Sequence, residues 1–217
     1  MKLIEVLDLV EMGENYHCEF KRKFSSHKKI AKEMIAFANS GGGYILFGID
    51  DDKKVVGLES EKSEANLIQE TANNFCEPSI AYNIEYKELK GKEIIIVEIP
   101  ESDRKPHRIQ DYKSTININD ALVSVRVNDK SVLASKEMIK IMINESNGNS
   151  LKHYSIGTNE KKVFEYLEQN ESITVSELKK LVNISERRAS RTLIKMVRAN
   201  LLILHKKENS EEYFSPK

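Results

Sequence analysis

Between two punctuation marks, Gly41-Gly42-Gly43 and Asp50-Asp51-Asp52, the chain reads Tyr44-Ile45-Leu46-Phe47-Gly48-Ile49. A near-continuous apolar run of this length fits a strand buried on both faces, because a strand with one wet face alternates polar and apolar residues. Covering both sides of such a strand needs further layers, so this part of the chain is expected to be an α/β domain with a sheet at its centre.

The neighbouring segments supply those layers. A short helix is expected over residues 2–12, ending near Gly13. Tyr16-His17-Cys18-Glu19-Phe20-Lys21 alternates, which predicts Tyr16, Cys18 and Phe20 in the core and His17, Glu19 and Lys21 on the opposite face. Ser26 can cap a helix running to about Asn39, with Ile30, Met34, Ile35 and Ala38 inward. Asp51 to Lys54 turn the chain into Val55-Val56-Gly57-Leu58. A further helix is expected near 62–76, stopped by Pro78, then a hairpin around Lys90-Gly91 ending in Glu93 to Pro100. Short strands near 114–127 and a helix over 134–144 complete the domain. Residues 146–157, rich in Ser, Asn and Gly, read as a linker. The expected division is therefore 1–145, linker 146–157, and 158–217.

After the linker the period becomes helical. Val163, Tyr166 and Leu167 share one stripe. Thr174 with Glu177 makes a capping-box pattern before a helix over Val175 to Leu181. Asn183-Ile184 is a tight turn, and Ser185 caps a second helix over 186–199. Two short strands, Leu201 to His205 and Glu212 to Phe214, flank Lys206 to Glu211. Helix, turn, helix and hairpin in this order are the pattern of a winged helix–turn–helix. Its second helix carries Arg187, Arg188, Arg191, Lys195 and Arg198 against Glu186 alone. In this motif that helix enters the major groove, where Arg donates paired hydrogen bonds to guanine and other cations neutralise phosphates. With Ser185 at its start and Lys206 and Lys207 on the wing, these residues are the expected DNA contacts. A run of charges is more often a solvated face, and winged helices also bind proteins; here the run falls on the helix the motif assigns to DNA. Residues 158–217 hold twelve Lys/Arg and nine Glu in a chain whose formal net charge is zero, so the surplus is local.

Several classes are set aside. No run of about 18 apolar residues occurs, so no membrane span is expected. Glu5 and Asp8 near the start do not suit a signal peptide. Cys18 and Cys76 lack ligand or disulfide spacing, which points to a reducing, cytoplasmic setting. The five histidines are scattered. With 40% hydrophobic and 31% charged residues the chain is ordinary for a globular protein.

Glu14-x4-Glu19-Phe20-Lys21, then Ala36 through Gly43 to Asp51, closely resembles the Schlafen AlbA-like domain. Val56-Gly57-Leu58, Lys105-Pro106-His107 and Val123 to Val127 match in the family's order, and the resemblance covers about residues 10–140. It implies a mixed-sheet α/β (α+β) domain. Microbial chains pairing it with a winged helix are described as transcriptional regulators. In nuclease-active Schlafens the catalytic acids would fall on Glu14, Glu19 and Asp50, with Mg²⁺ or Mn²⁺ as the cofactor they hold, and Lys21 could meet a phosphate. Relatives have also been labelled ATP-binding. Gly41 to Gly43, however, follow a helix and precede a strand, the reverse of a P-loop, and no GxxxxGK[ST] exists, so ATP is not expected. The expectation is a DNA-binding regulator acting as a homodimer, its winged helix reading duplex DNA and its AlbA-like domain giving a second nucleic-acid or dimerisation surface, with a divalent-metal endonuclease on RNA or DNA as the alternative.

Overall fold

The computed structural model describes residues 1–146 and 155–217. The chain divides into Met1–Ala134 and Ser135–Lys217. In the first unit the elements run α1 (Leu3–Met12), β1 (Cys18–Lys21), α2 (His27–Asn39), β2 (Gly43–Phe47), α3 (Glu61–Asn74), β3 (Cys76–Glu77), β4 (Asn83–Leu89), β5 (Lys92–Ile99), β6 (Arg108–Ile109), β7 (Ser124–Val127) and β8 (Lys130–Leu133).

The main sheet has the order β1-β2-β5-β4, with β1 parallel to β2 and the other pairs antiparallel. It is a mixed sheet in an α/β unit. The apolar run beginning at Tyr44 supplies β2, between two neighbours and covered on both faces. Ile45 and Phe47 join Ile95, Val97 and Ile99 of β5 in a core closed by Ile30, Met34 and Phe37 of α2 and Ile68 of α3. Leu46, Ile94 and Ile96 point the other way, onto Cys18 and Phe20 of β1 and Val6 and Val10 of α1. At roughly 1.5–3 kcal/mol for each large side chain buried, these two layers dominate the unit's stability.

Two local chemistries set the connections. Ser26 accepts a hydrogen bond from the Lys29 N–H and starts α2. The β4–β5 turn uses Lys90 (φ 56°) and Gly91 (φ 72°), the positive-φ pair that a two-residue hairpin needs.

Some expectations are corrected. Tyr16 precedes β1 and is 38% exposed, so the alternation begins only at Cys18. Glu19, expected on a wet face, is 9% exposed because α2 and β7 cover that side. Of the strands expected near 114–127 only β7 forms. Residues 117–120 turn instead, with the Asn117 side chain accepting the Asn119 N–H, a local bond that competes with strand pairing.

The second unit contains α4 (Lys136–Ser146), α5 (Thr158–Leu167), α6 (Val175–Leu181), α7 (Glu186–Arg198), β9 (Leu202–Lys206) and β10 (Glu212–Pro216). α4, which closes the first domain in the sequence pattern, groups with this unit. Of the expected linker, residues 147–154 lie outside the described residues. Val163, Ile173, Leu178, Ala189, Leu193, Met196, Leu202 and Phe214 form its core. Thr174 and Glu177 exchange the expected capping bonds, and Asn183 takes positive φ (49°) in the turn between α6 and α7. β9 and β10 pair antiparallel, and Ile173 and Phe214 exchange two backbone hydrogen bonds of 2.8 Å.

Candidate functional site

Glu19 lies at the centre of a buried charge network in the first unit. One carboxylate oxygen takes a hydrogen bond from Lys21 Nζ, and the other accepts from Arg126 of β7 at 2.9 Å. The Arg126 side chain is fully buried. It also donates to the Asn15 carbonyl at 2.7 Å and to Ser131 at 3.1 Å, and it lies 3.4 Å from Glu33 of α2. Ser131 in turn donates to Glu33, and the guanidinium stacks 4.6 Å above the Phe37 ring. The network therefore ties β1, α2, β7 and β8 together. Glu33 and Ser131 are absent from the sequence expectations and Arg126 enters them only within the matched segment Val123 to Val127, with no role; nothing in the local pattern links it to Glu19, 107 positions away.

The other expected acids bond to groups outside this network. Glu14 accepts the Phe20 N–H at 2.9 Å. Burial pushes its carboxyl above the ordinary range. The Phe20 bond opposes that, the Glu19 charge adds to it, Lys21 opposes it again, and Asp51 adds a final push. Asp50 pairs with Arg22 at 3.0 Å and accepts the Asp51 N–H. A divalent ion needs several carboxylate oxygens turned to one point. Among the described residues no group of three His, Cys, Asp or Glu side chains is placed to hold a metal. Glu14, Glu19 and Asp50 are not gathered into such a group here, and Lys21 is engaged by Glu19 and the Phe20 carbonyl.

The glycine run serves packing. Gly42 takes φ 69° and its N–H donates to the Phe37 carbonyl. A Cβ on Gly43 would stand 2.4 Å from the Phe37 ring and 2.6 Å from the His17 carbonyl. The run closes α2 tightly onto β2. Asn39, the last residue of α2, is equally buried. It donates to the carbonyls of His107 (2.8 Å) and Ser124 (3.0 Å) and accepts the His107 N–H at 2.7 Å. His107 Nδ1 donates to the Pro78 carbonyl, which leaves Nε2 to accept from Ser102 at 2.7 Å. Burial lowers the His107 pKa below the ordinary histidine value, against the Pro78 hydrogen bond, which raises it. Cys18 and Cys76 are free and buried, their thiols pushed up to about 12 by burial.

In the second unit, the expected contacts gather on α7. Ala189, Leu193 and Met196 are buried, while Arg187, Arg188, Arg191 and Lys195 are exposed on the opposite side. Ser185 caps the helix through the Arg188 N–H. Arg187, Arg191 and Lys195 are four residues apart and so form one line along the helix. They line a groove with Ser185, Arg188 and the start of α5. None of these four cations is paired with an acid among the described residues. Nearby acids are Glu186, 3.5 Å from Lys179, and Glu137 of α4, which accepts from Ser190. Arg198 is half-buried at the helix end. Lys207 pairs with Glu211 at 3.0 Å and lies 5.5 Å from the Tyr213 ring; Lys206 is half-buried on β9.

One more charged segment escaped the sequence expectations. Residues 21–32 contain six Lys/Arg (Lys21, Arg22, Lys23, Lys28, Lys29 and Lys32) and no acid. It spans the end of β1, the following loop and the start of α2. Counting charge over short windows would have found it.

The family model described as Schlafen, AlbA_2 matches residues 14–135. An uncharacterized ATP-binding protein of Ureaplasma parvum serovar 3 is 41% identical over 88 residues, which cover 37% of this chain and 24% of that protein. The chain thus spans about a quarter of that relative's length. A crystal structure of a Corynebacterium diphtheriae protein aligns with TM-score 0.42 and 16% identity, over 61% of this chain and 30% of the other. The solution structure of the N-terminal domain of a Nitrosomonas europaea protein, described as related to the ATP-dependent DNA helicase RecG, aligns with TM-score 0.39 and 25% identity. It covers 52% of this chain and 81% of that one. No helix among the described residues is long and apolar enough to cross a membrane.

Proposed function

The chain belongs to the Schlafen, AlbA_2 family, and from that premise we propose that it is a nucleic-acid-binding protein whose second unit works as a winged helix on duplex DNA, in the manner of a transcriptional regulator. The observation that carries the proposal is the outward row of Arg187, Arg188, Arg191 and Lys195 on α7. It stands on the helix that follows the tight turn, ahead of a β-hairpin. Three of the four are Arg, whose planar fork can pair with the O6 and N7 of guanine, so the row suits base reading as well as phosphate neutralisation. Binding in this reading needs neither a metal ion nor a nucleotide. ATP binding is named for the Ureaplasma relative; in this chain a Cβ on Gly42 would meet the Ile99 carbonyl and one on Gly43 the Phe37 ring, so close packing accounts for these glycines.

The test is selection of duplex sites by the full-length protein from a random library, followed by Arg187→Ala and Arg191→Ala on the selected site. A preferred sequence should emerge. Each variant should lose about 1–3 kcal/mol of discrimination at one base position. A protein that enriches no duplex sequence, or variants that bind the selected site as the parent does, would remove the regulator reading.

A further inference from the structure

We infer that the first unit carries a serine-nucleophile site, in which the Ser102 hydroxyl, with His107 as its base, opens small carboxylic esters. Both residues stand in the segment that joins β5 to β6. The inference is independent of the nucleic-acid reading above, which gives neither residue a role.

The direction of the hydrogen bond between them is fixed by a third group. The Pro78 carbonyl lies 2.8 Å from His107 Nδ1 and can only accept, so that nitrogen carries the ring proton. Nε2 then holds a lone pair, and the Ser102 hydroxyl, 2.7 Å away, must donate to it. Two other His–hydroxyl pairs run the opposite way. Thr71 donates to the Leu67 carbonyl and Ser215 to the Pro216 carbonyl, so His27 and His205 are the donors toward them. Ser102 instead aims its proton at a ring nitrogen able to take it. This is the arrangement of a nucleophile and its general base, with a carbonyl orienting the imidazole where a carboxylate often does. Burial lowers the His107 pKa, so the free base prevails near neutral pH.

The end of α2 holds both partners in place. The Ser102 N–H donates to the Ala38 carbonyl at 2.9 Å. Asn39 fixes the His107 backbone through both its carbonyl and its N–H. The Arg104 N–H donates to Ser102 Oγ at 3.1 Å, which holds the hydroxyl in one rotamer and favours the negative charge that gathers there as the proton leaves. His107 is 1% exposed, whereas Ser102 is half-buried and lines a cleft. The nucleophile is thus reachable while its base is shielded from water.

The cleft decides what can react. Its volume, about 340 Å³, is at the small end for ligand sites, and Ile80, Ala81 and Pro100 give it an apolar wall. That suits a short acyl chain. Arg104 also lines it, its guanidinium steadied by the Ser79 carbonyl at 3.1 Å, and supplies positive charge for the oxyanion of a tetrahedral intermediate. In the reaction Ser102 Oγ bonds to the ester carbonyl carbon as its proton passes to His107 Nε2. The bond from that carbon to the alcohol oxygen breaks, and His107 gives the proton to the departing alkoxide. Water, deprotonated by His107 in its turn, then attacks the acyl-serine, which releases the acid and restores the Ser102 hydroxyl.

The experiment treats full-length protein with a fluorophosphonate probe and, separately, with p-nitrophenyl acetate, and locates the modified residue by peptide mass spectrometry. The parent is compared with Ser102→Ala and His107→Gln, and thermal unfolding checks the fold of each. The probe should mark Ser102 in the native protein, at a rate that drops about a hundredfold in urea or in His107→Gln. The release of p-nitrophenol above background should be lost in Ser102→Ala. Native Ser102 left unmarked, or marked no faster than in urea, would overturn the inference, and that comparison needs no variant to fold. So would ester hydrolysis unchanged by Ser102→Ala, which would assign the reaction to other surface groups.

Discussion

Glu19 shows how one residue's meaning depends on its partners. The family resemblance marks it as a metal-binding acid, yet here it neutralises Arg126 inside the fold. Removing one partner of a buried charge network strands the others in a poor solvent. Arg126→Ala is therefore expected to cost about 3–5 kcal/mol in urea unfolding; a loss below about 1 kcal/mol would show that the network contributes little. For the same reason Glu19→Ala is a poor probe of cleavage, since lost activity and lost fold would look alike. Asp50→Ala, on a half-exposed residue bound to Arg22, separates the two. His107 gives a pH prediction. Its folded pKa is lowered by burial, so at mildly acid pH the unfolded chain binds the proton more readily than the folded one. Stability should fall as pH drops below the ordinary histidine value of about 6.5, and His107→Gln should flatten that slope.

At the scale of elements, β2 and α7 were both legible in the sequence, for different reasons. β2 announces itself because burial on two faces removes every polar residue from the strand. α7 announces itself through its Ser185 cap, its apolar stripe and the arginines between. The α2–β2 junction was legible only as a break. Its geometry explains the break: the Phe37 ring occupies the space a side chain on Gly43 would need. Gly43→Ala should cost about 1–3 kcal/mol through overpacking, measured by thermal unfolding, with a smaller loss at Gly91→Asn, where nothing crowds the added group and only the positive φ opposes it. The strand expected near residue 114 failed because side-chain turn bonds outcompeted pairing, a contest that local propensity does not resolve.

For the whole molecule, the winged-helix reading leads to one proposal beyond the single chain. Two copies are proposed to pair and present two α7 helices to one DNA site, as dimeric helix–turn–helix proteins do. Light scattering at micromolar concentration should then give twice 24.9 kDa, and selected duplex sites should contain two half-sites with a fixed spacing. A mass of one chain across that range would sink the pairing.

Local chemistry was enough, by itself, to mark the central strand, the capped helices, the Lys90-Gly91 hairpin and the basic face of α7, because caps, turns and periodic burial are decided within a few residues. It also carried the motifs that place the chain in its family. Only the tertiary structure decided that Glu19 faces Arg126, that Asn39 stitches His107 to Ser124, and that Arg22 meets Asp50. The pairings Arg22–Asp50 and Glu19–Arg126 join residues 28 and 107 positions apart, and a charge's role is set by its nearest opposite, which for these residues no local pattern contains.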